Sequence, residues 1–354
     1  MASWCATPFC AARSPIDWAR SYCGNLVLRV CEPWSRAGCW LHGSVCFGNA
    51  KQAEFTRRNG FNIDQAGCEK ANVNAATITR QSKSNLALAF VSLGRERKRD
   101  ITIFYAFCRV VDDIADSADL SVIEKRVRLA NWRQMLRAGA PDEPLLARDV
   151  RQLMHKYSLP PEMLEEIIAG VEMDLSVLRY SSFKELRVYC YRVASAVGLV
   201  SIEIFGYRNP RCREYAIDLG LALQMTNIIR DVAKDFQAGR IYLPQEDLAR
   251  FHYSEADLAK QWYNEHFVQL MQFEASRARE FFSRAAAELP PEDRRAMAPA
   301  EIMGSIYRAL LRRIELDKFQ VFEKEYRLSN LEKAGRIATQ LLKSFLNLPP
   351  RTSV

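Results

Sequence analysis

Residues 223–235 read Leu223-Gln224-Met225-Thr226-Asn227-Ile228-Ile229-Arg230-Asp231-Val232-Ala233-Lys234-Asp235. Met225, Ile228, Ile229 and Val232 recur at three- and four-residue steps, the period of an apolar helix face. On that helix Asn227, Asp231 and Asp235 stand one turn apart and form a stripe of oxygen-bearing side chains. Stacked carboxylates repel, so the stripe calls for cations beside it. Downstream, Arg240-Ile241-Tyr242-Leu243-Pro244 puts a guanidinium and a phenol near the helix end.

A second stripe lies upstream in Cys108-Arg109-Val110-Val111-Asp112-Asp113-Ile114-Ala115-Asp116, where Asp112 and Asp116 share a face among Phe104, Phe107, Val110, Val111 and Ile114. Alone, such a pair is commonly a solvated helix face. Two stripes, each with an arginine alongside (Arg109 and Arg230), suit another chemistry. Mg²⁺ takes oxygen ligands and bridges carboxylates to substrate phosphates, and the arginine fork binds two phosphate oxygens at once. Together the stripes are suited to clamp a diphosphate.

The rest of the chain continues the helical pattern. Helices are expected at 84–93, 98–116, 122–138, 144–157, 161–178, 183–206, 210–237, 254–288, 299–326 and 329–346. Pro160-Pro161 and Asn209-Pro210 mark helix starts, and Gly206 and Gly239 mark ends. No stretch alternates as a strand and no repeat of solenoid length is present, so the fold class is all-α around one core.

The chain has 354 residues, 49% hydrophobic and 26% charged, with 50 basic against 42 acidic residues and a net charge of +8. Mean hydropathy is −0.20, and the best uncharged apolar run, Val193–Ile202, is shorter than the ~18 residues that a membrane span needs. The basic residues are interspersed with acidic ones and carry no nucleic-acid signature, so nucleic acid is not expected as a partner. Seven of ten cysteines precede residue 70 and none forms a CxxC pair, which supports neither zinc nor a disulfide framework. His42, His155, His252 and His266 form no HExxH motif, and no GxGxxG follows a strand. Composition shifts near residue 72. Residues 1–72, rich in Cys and Trp, are read as an extension outside the domain, disordered or an over-extended gene start, and receive no function; the domain is 73–354.

Four ordered segments, 105–116, Tyr189-Cys190-Tyr191-Arg192-Val193-Ala194-Ser195-Ala196-Val197-Gly198, 227–235 and 240–244, resemble the squalene/phytoene synthase family of head-to-head prenyltransferases. The likeness runs from about residue 82 to the early 340s. It implies a single-domain isoprenoid-synthase-type helical bundle around a central apolar cavity. It also implies a Mg²⁺ cluster, or Mn²⁺ in its place, held by Asp112, Asp116, Asn227, Asp231 and Asp235. Arg109, Arg230, Arg240 and Tyr242 would contact diphosphate, joined by Lys83 and Ser84 from an N-terminal turn. Tyr105 and Tyr307 would face the reacting centre or the leaving group. Val193, Ala194, Val197, Gly198, Leu199 and Leu223 would wall the pocket, the small residues leaving room for a prenyl chain. Lys234 departs from the acidic residue of many relatives.

Within the family, Val193–Gly206 and Ile241–Leu248 look most like the bacterial branch associated with hopanoid synthesis. The resemblance therefore implies condensation of two farnesyl diphosphates to presqualene diphosphate or squalene, with NADPH needed only for squalene. The alternatives are a phytoene synthase acting on two geranylgeranyl diphosphates and a non-catalytic assembly factor of the same fold. A cytoplasmic protein in peripheral contact with an anionic bilayer is expected from the basic charge and the greasy substrate. Oligomeric state is not read.

Overall fold

Ser121 and Glu124 cap each other's backbone N–H groups, as do Ser329 with Glu332 and Ser254 with Asp257, so three helices begin where a capping box satisfies their first donors. Such local rules set most of the boundaries in the computed structural model, which describes residues 89–346. The 1–72 extension, Lys83 and Ser84 lie outside the described residues.

After a 3-10 turn at Phe90–Ser92, the helices are α1 Arg95–Asp116, α2 Val122–Arg137, α3 Leu145–Lys156, α4 Pro161–Met173 and α5 Phe183–Cys190. A π-helical turn, Tyr191–Ser195, joins α5 to α6 Ala196–Phe205. Then follow α7 Cys212–Gln237, α8 Gln245–Arg250, α9 Glu255–Ala259, α10 Glu265–Glu288, α11 Ala298–Leu316 and α12 Asn330–Phe345. The fold is all-α as expected. Its one backbone pairing of strand type among the described residues is an isolated parallel bridge between Arg179 and Ile241.

α7 forms the axis. α10 packs along it, and α6, the π turn and α11 flank it. Its N-terminus is fixed by Asp293, whose buried carboxylate accepts from the backbone N–H groups of Arg208 at 2.9 Å and Asn209 at 2.8 Å. α1 packs against α3, α4 and α6, with Phe104 and Phe107 fully buried and Phe107 edge-on to Trp132 at 5.5 Å.

Several expected boundaries move. The segment 161–178 is helical only to Met173. The segment 254–288 breaks where Gln261 turns to a φ of 50° and Asn264 caps Phe267 N–H. The segment 299–326 ends at Leu316, before Lys318 and Phe319 adopt positive φ. α8 was not anticipated. Gly206 and Gly239 do sit at helix ends with φ of 77° and 81°. Taken with its π turn, Phe183–Phe205 is long and apolar enough to cross a membrane, but half of that window is buried in the bundle against α4 and α7.

Candidate active site

The two stripes converge at one end of the bundle. On α1, Asp112 and Asp116 lie half-exposed, and Arg109 reaches Asp113 at 2.6 Å and Asp112 at 3.5 Å. On α7, Arg230 forks onto its neighbour Asp231, with Nε 2.9 Å from Oδ1, and also hydrogen-bonds Tyr307 of α11. The link between stripes comes from beyond α7, where Arg240 Nη1 stands 3.9 Å from Asp116 Oδ1. The Arg240 backbone is fixed by its N–H to Asp235 O at 2.8 Å and by Ile241 N–H to Leu178 O at 3.0 Å.

Crowding shows in the acidities. Burial, then the Asp116 charge, pushes the Asp112 carboxyl up to about 6, and burial with Asp231 pushes Asp235 up to about 7. Asp112 keeps half its side chain open to the cleft, so these directions reflect a walled concavity and not enclosure. A divalent cation relieves repulsion of this kind. Asn227 adds a second mark of a cation site: its Nδ2 donates to Gln224, while its Oδ1 is buried with no partner. An orphaned amide oxygen is a hard donor suited to Mg²⁺ or Mn²⁺. Among the described residues no three His, Cys, Asp or Glu side chains lie close enough to hold one ion by themselves. The donors therefore suit ions whose remaining positions are filled by phosphate oxygens.

The squalene/phytoene synthase family model matches residues 79–332, most of the chain. The chain belongs to that family. It is 36% identical over 268 residues to a phytoene synthase of Arthrospira platensis, covering 70% of this chain and 84% of the relative. It is 33% identical over 273 residues to a 15-cis-phytoene synthase of Synechocystis, covering 73% and 81%. Among solved structures it is similar to a dehydrosqualene synthase (TM-score 0.68, 24% identity, 80% of this chain and 98% of that one). It is similar also to a squalene synthase from Alicyclobacillus acidocaldarius (TM-score 0.62, 24% identity, 69% and 93%). These structures share the all-α isoprenoid-synthase fold. Family membership makes the chain a prenyltransferase-type enzyme acting on prenyl diphosphates by head-to-head condensation.

As a squalene/phytoene synthase, the chain places Asp112 and Asp116 near the C-terminal end of α1, Arg230, Asp231 and Asp235 near that of α7 with Arg240 just beyond it, and Tyr307 beside Arg230 from the middle of α11. Tyr105 is half-buried and edge-on to Phe90 at 6.3 Å. Lys234 is exposed, and its positive charge partly offsets the rise of the Asp235 pKa. Tyr242 differs from expectation. It is buried, and its hydroxyl donates to Asp174 at 2.7 Å instead of standing free for diphosphate.

The expected pocket residues lie on the π turn, α6 and α7. Val193, Ala194, Val197, Gly198 and Leu223 are partly buried and Leu199 is core. A recess at the C-terminal end of α7 is lined by other residues, Ile228, Val232, Asp235, Arg240, Tyr242 and Leu258 among them. Gly198 does not make room for a ligand, because a Cβ there would lie 3.0 Å from the Ala216 carbonyl oxygen of α7. Its smallness serves helix–helix approach.

One group escaped the sequence reading. Asp174, just past α4, faces Asp112, Asp116, Asp235 and Arg240. The available signal was an acid two residues after Glu172, in a mostly apolar run expected to be helical to 178.

Proposed function

We propose that this enzyme condenses two C20 prenyl diphosphates head to head, the reaction type of phytoene synthases, with Mg²⁺ or Mn²⁺ held by the Asp112/Asp116 and Asn227/Asp231/Asp235 stripes. The observation that carries the reading is the approach of Arg240, just beyond the α7 stripe, to Asp116 of the α1 stripe, which sets an arginine between two carboxylate faces. The C20 chain length is supported by the phytoene synthases at 36% and 33% identity, and it replaces the C15 substrate inferred from Val193–Gly206 and Ile241–Leu248. Intact carboxylates in both stripes favour catalysis over an assembly role.

The bound metal would supply Lewis-acid neutralisation of the departing diphosphate. This chain's own residues do the remainder. Arg240 and Arg230 bind and orient diphosphate oxygens, and Tyr307 fixes Arg230. Apolar side chains beside the α7 stripe, Ile228 and Val232 among them, would help keep water from the reacting carbons, since water would quench an allylic cation to an alcohol. A C40 hydrocarbon is reached from the final cation by loss of a proton, so no NADPH is consumed. Reduction to squalene would require a hydride.

Purified protein with Mg²⁺ and labelled C20 or C15 diphosphate, assayed without and with NADPH, tests the proposal. A C40 hydrocarbon from the C20 substrate without reductant is the expected product. A C30 product or presqualene diphosphate would return the C15 reading, and no turnover of either would sink catalysis. Peripheral membrane contact is proposed from the +8 charge and the prenyl substrate, and flotation with anionic vesicles at low salt is the check.

A further inference from the structure

α12 carries an outward face without a charge. Leu331, Ala334, Gly335, Ala338, Thr339 and Leu342 stand exposed at steps of one, three and four residues along one side of the helix, and the C-cap Leu346 continues the line. Leu331, Leu342 and Leu346 are 83%, 60% and 55% exposed. A Cβ on Gly335 would meet nothing within 4 Å, so the middle of the face is open. A single exposed leucine is ordinary, but an aligned set on one helix face marks an interaction surface.

The charges of the same helix are basic. Lys333, Arg336 and Lys343 stand against one acid, Glu332, and that acid is committed to Arg313 and to the Ser329 cap. Arg336 donates from Nη1 to Ser305 O at 3.4 Å, a long bond, and its Nε is buried with no partner among the described residues. That contact lays the basic edge of α12 against the α11 face on which Arg312, seven residues after Ser305, stands exposed. An uncharged, leucine-bearing face edged by under-satisfied cations suits a helix lying in the plane of an anionic bilayer. A second copy of this chain, docked face to face, would bring the same cations together, whereas lipid phosphates neutralise them. The inner face adds a reason of its own. Ile337 and Leu341 pack with Ile302, Met303, Ile306 and Leu328 in a cluster that Tyr307 and Leu223 join. The bilayer would then lie one helix away from Tyr307, placed to receive a C40 hydrocarbon that water does not dissolve.

We propose that the outward face of α12 is the surface by which this enzyme lies on an anionic bilayer, with Leu331, Leu342 and Leu346 in the boundary between headgroups and acyl chains and Arg312 and Arg336 at the lipid phosphates. This rests on the peripheral membrane contact proposed above and assigns that contact to one helix.

The test is flotation of the full chain with vesicles of phosphatidylglycerol and phosphatidylcholine in equal parts, across a series of salt concentrations. Wild type is compared with L331Q/L342Q, R312Q/R336Q and a control, I123Q/L145Q, which removes exposed apolar side chains from α2 and α3. Circular dichroism confirms the fold of each, and if R312Q/R336Q does not fold, R312Q at its exposed position takes its place. L331Q/L342Q is expected to lower the partition coefficient roughly tenfold or more at every salt concentration where wild type binds, because the loss is apolar. R312Q/R336Q is expected to lower it several-fold at low salt and to converge on wild type as salt rises, because the loss is electrostatic. The control is expected to match wild type. Wild-type binding by L331Q/L342Q, or an equal loss in the control, overturns the assignment to α12 while leaving membrane contact in place. Unchanged low-salt binding by the arginine variant overturns the role of the basic edge. Wild-type protein that stays with the lipid-free fraction at low salt overturns both the face and the membrane contact. Self-association of wild type without vesicles that L331Q/L342Q abolishes, read by sedimentation equilibrium, gives the face to a second copy and overturns the proposal.

Discussion

Replacing Gly220 by alanine tests how closely α7 is seated against the π turn. A Cβ on Gly220 would lie 2.6 Å from Ser195 Cα and 2.7 Å from Ser195 N. Ordinary carbon–carbon contacts sit at about 3.5–4.0 Å, so roughly 1 Å of separation must be found. Neither neighbour is a flexible side chain. Both belong to the backbone of Tyr191–Ser195, which is tied to α7 by Ser195 Oγ donating to Ile217 O at 2.7 Å. Overpacking of this kind costs about 1–3 kcal/mol, and straining a buried hydrogen bond adds about 1 kcal/mol or more. The helix propensity of alanine returns only about 1 kcal/mol. G220A should therefore lose about 2 kcal/mol, read as a lower urea midpoint at unchanged slope. Gly335 on α12 has nothing within 4 Å of its would-be Cβ, so G335A should gain about 0.5–1 kcal/mol. G198A, facing a carbonyl oxygen at 3.0 Å, should fall between them. If G220A proves as stable as G335A, the close-approach argument for the α7 axis is wrong.

D112A and D231A should each lower turnover at least 10³-fold with helical circular dichroism unchanged, because each removes a charge-stabilising carboxylate from one stripe; retained activity in either counts against the site. Glu274 is fully buried with Arg277, which also bonds Asp247 at 2.5 Å. Burial outweighs Arg277 and pushes the Glu274 carboxyl from 4.5 up to about 8. The folded chain thus keeps a proton that the unfolded chain releases, so this contribution is fully present below 4.5 and is lost as pH rises through 8. E274Q should accordingly lose less melting temperature than wild type between pH 5 and pH 9, and an identical pH slope would refute the assignment. Y242F should destabilise by about 1–2 kcal/mol in urea unfolding, the cost of leaving Asp174 short of a buried donor.

What the sequence made legible and what it hid divide along one physical line. α1 and α7 were readable because their apolar faces and their acid stripes both follow the helical period, a signal carried within 22 and 26 residues of chain. The same holds for the capped starts. The break at 260–264 was hidden because the apolar pattern continues through it; Gln261 and the Asn264 cap end one helix and begin the next without Gly or Pro. The π turn is a tertiary product. It lies where Gly220 lets α7 touch the Ser195 backbone, and nothing in residues 191–195 announces it. Asp174 follows the same logic at the site. Its tyrosine partners are 15 and 68 residues away in the chain, so no local motif contains the unit. For that reason Tyr242 reads, from its place beside Arg240, as a diphosphate contact when its hydroxyl in fact anchors Asp174. The charges that meet the substrate are written in short periodic stretches. The buried unit of Asp174, Tyr189 and Tyr242 is created only when α4, α5 and the segment after α7 come together, and there a local reading of the site has to give way to its geometry.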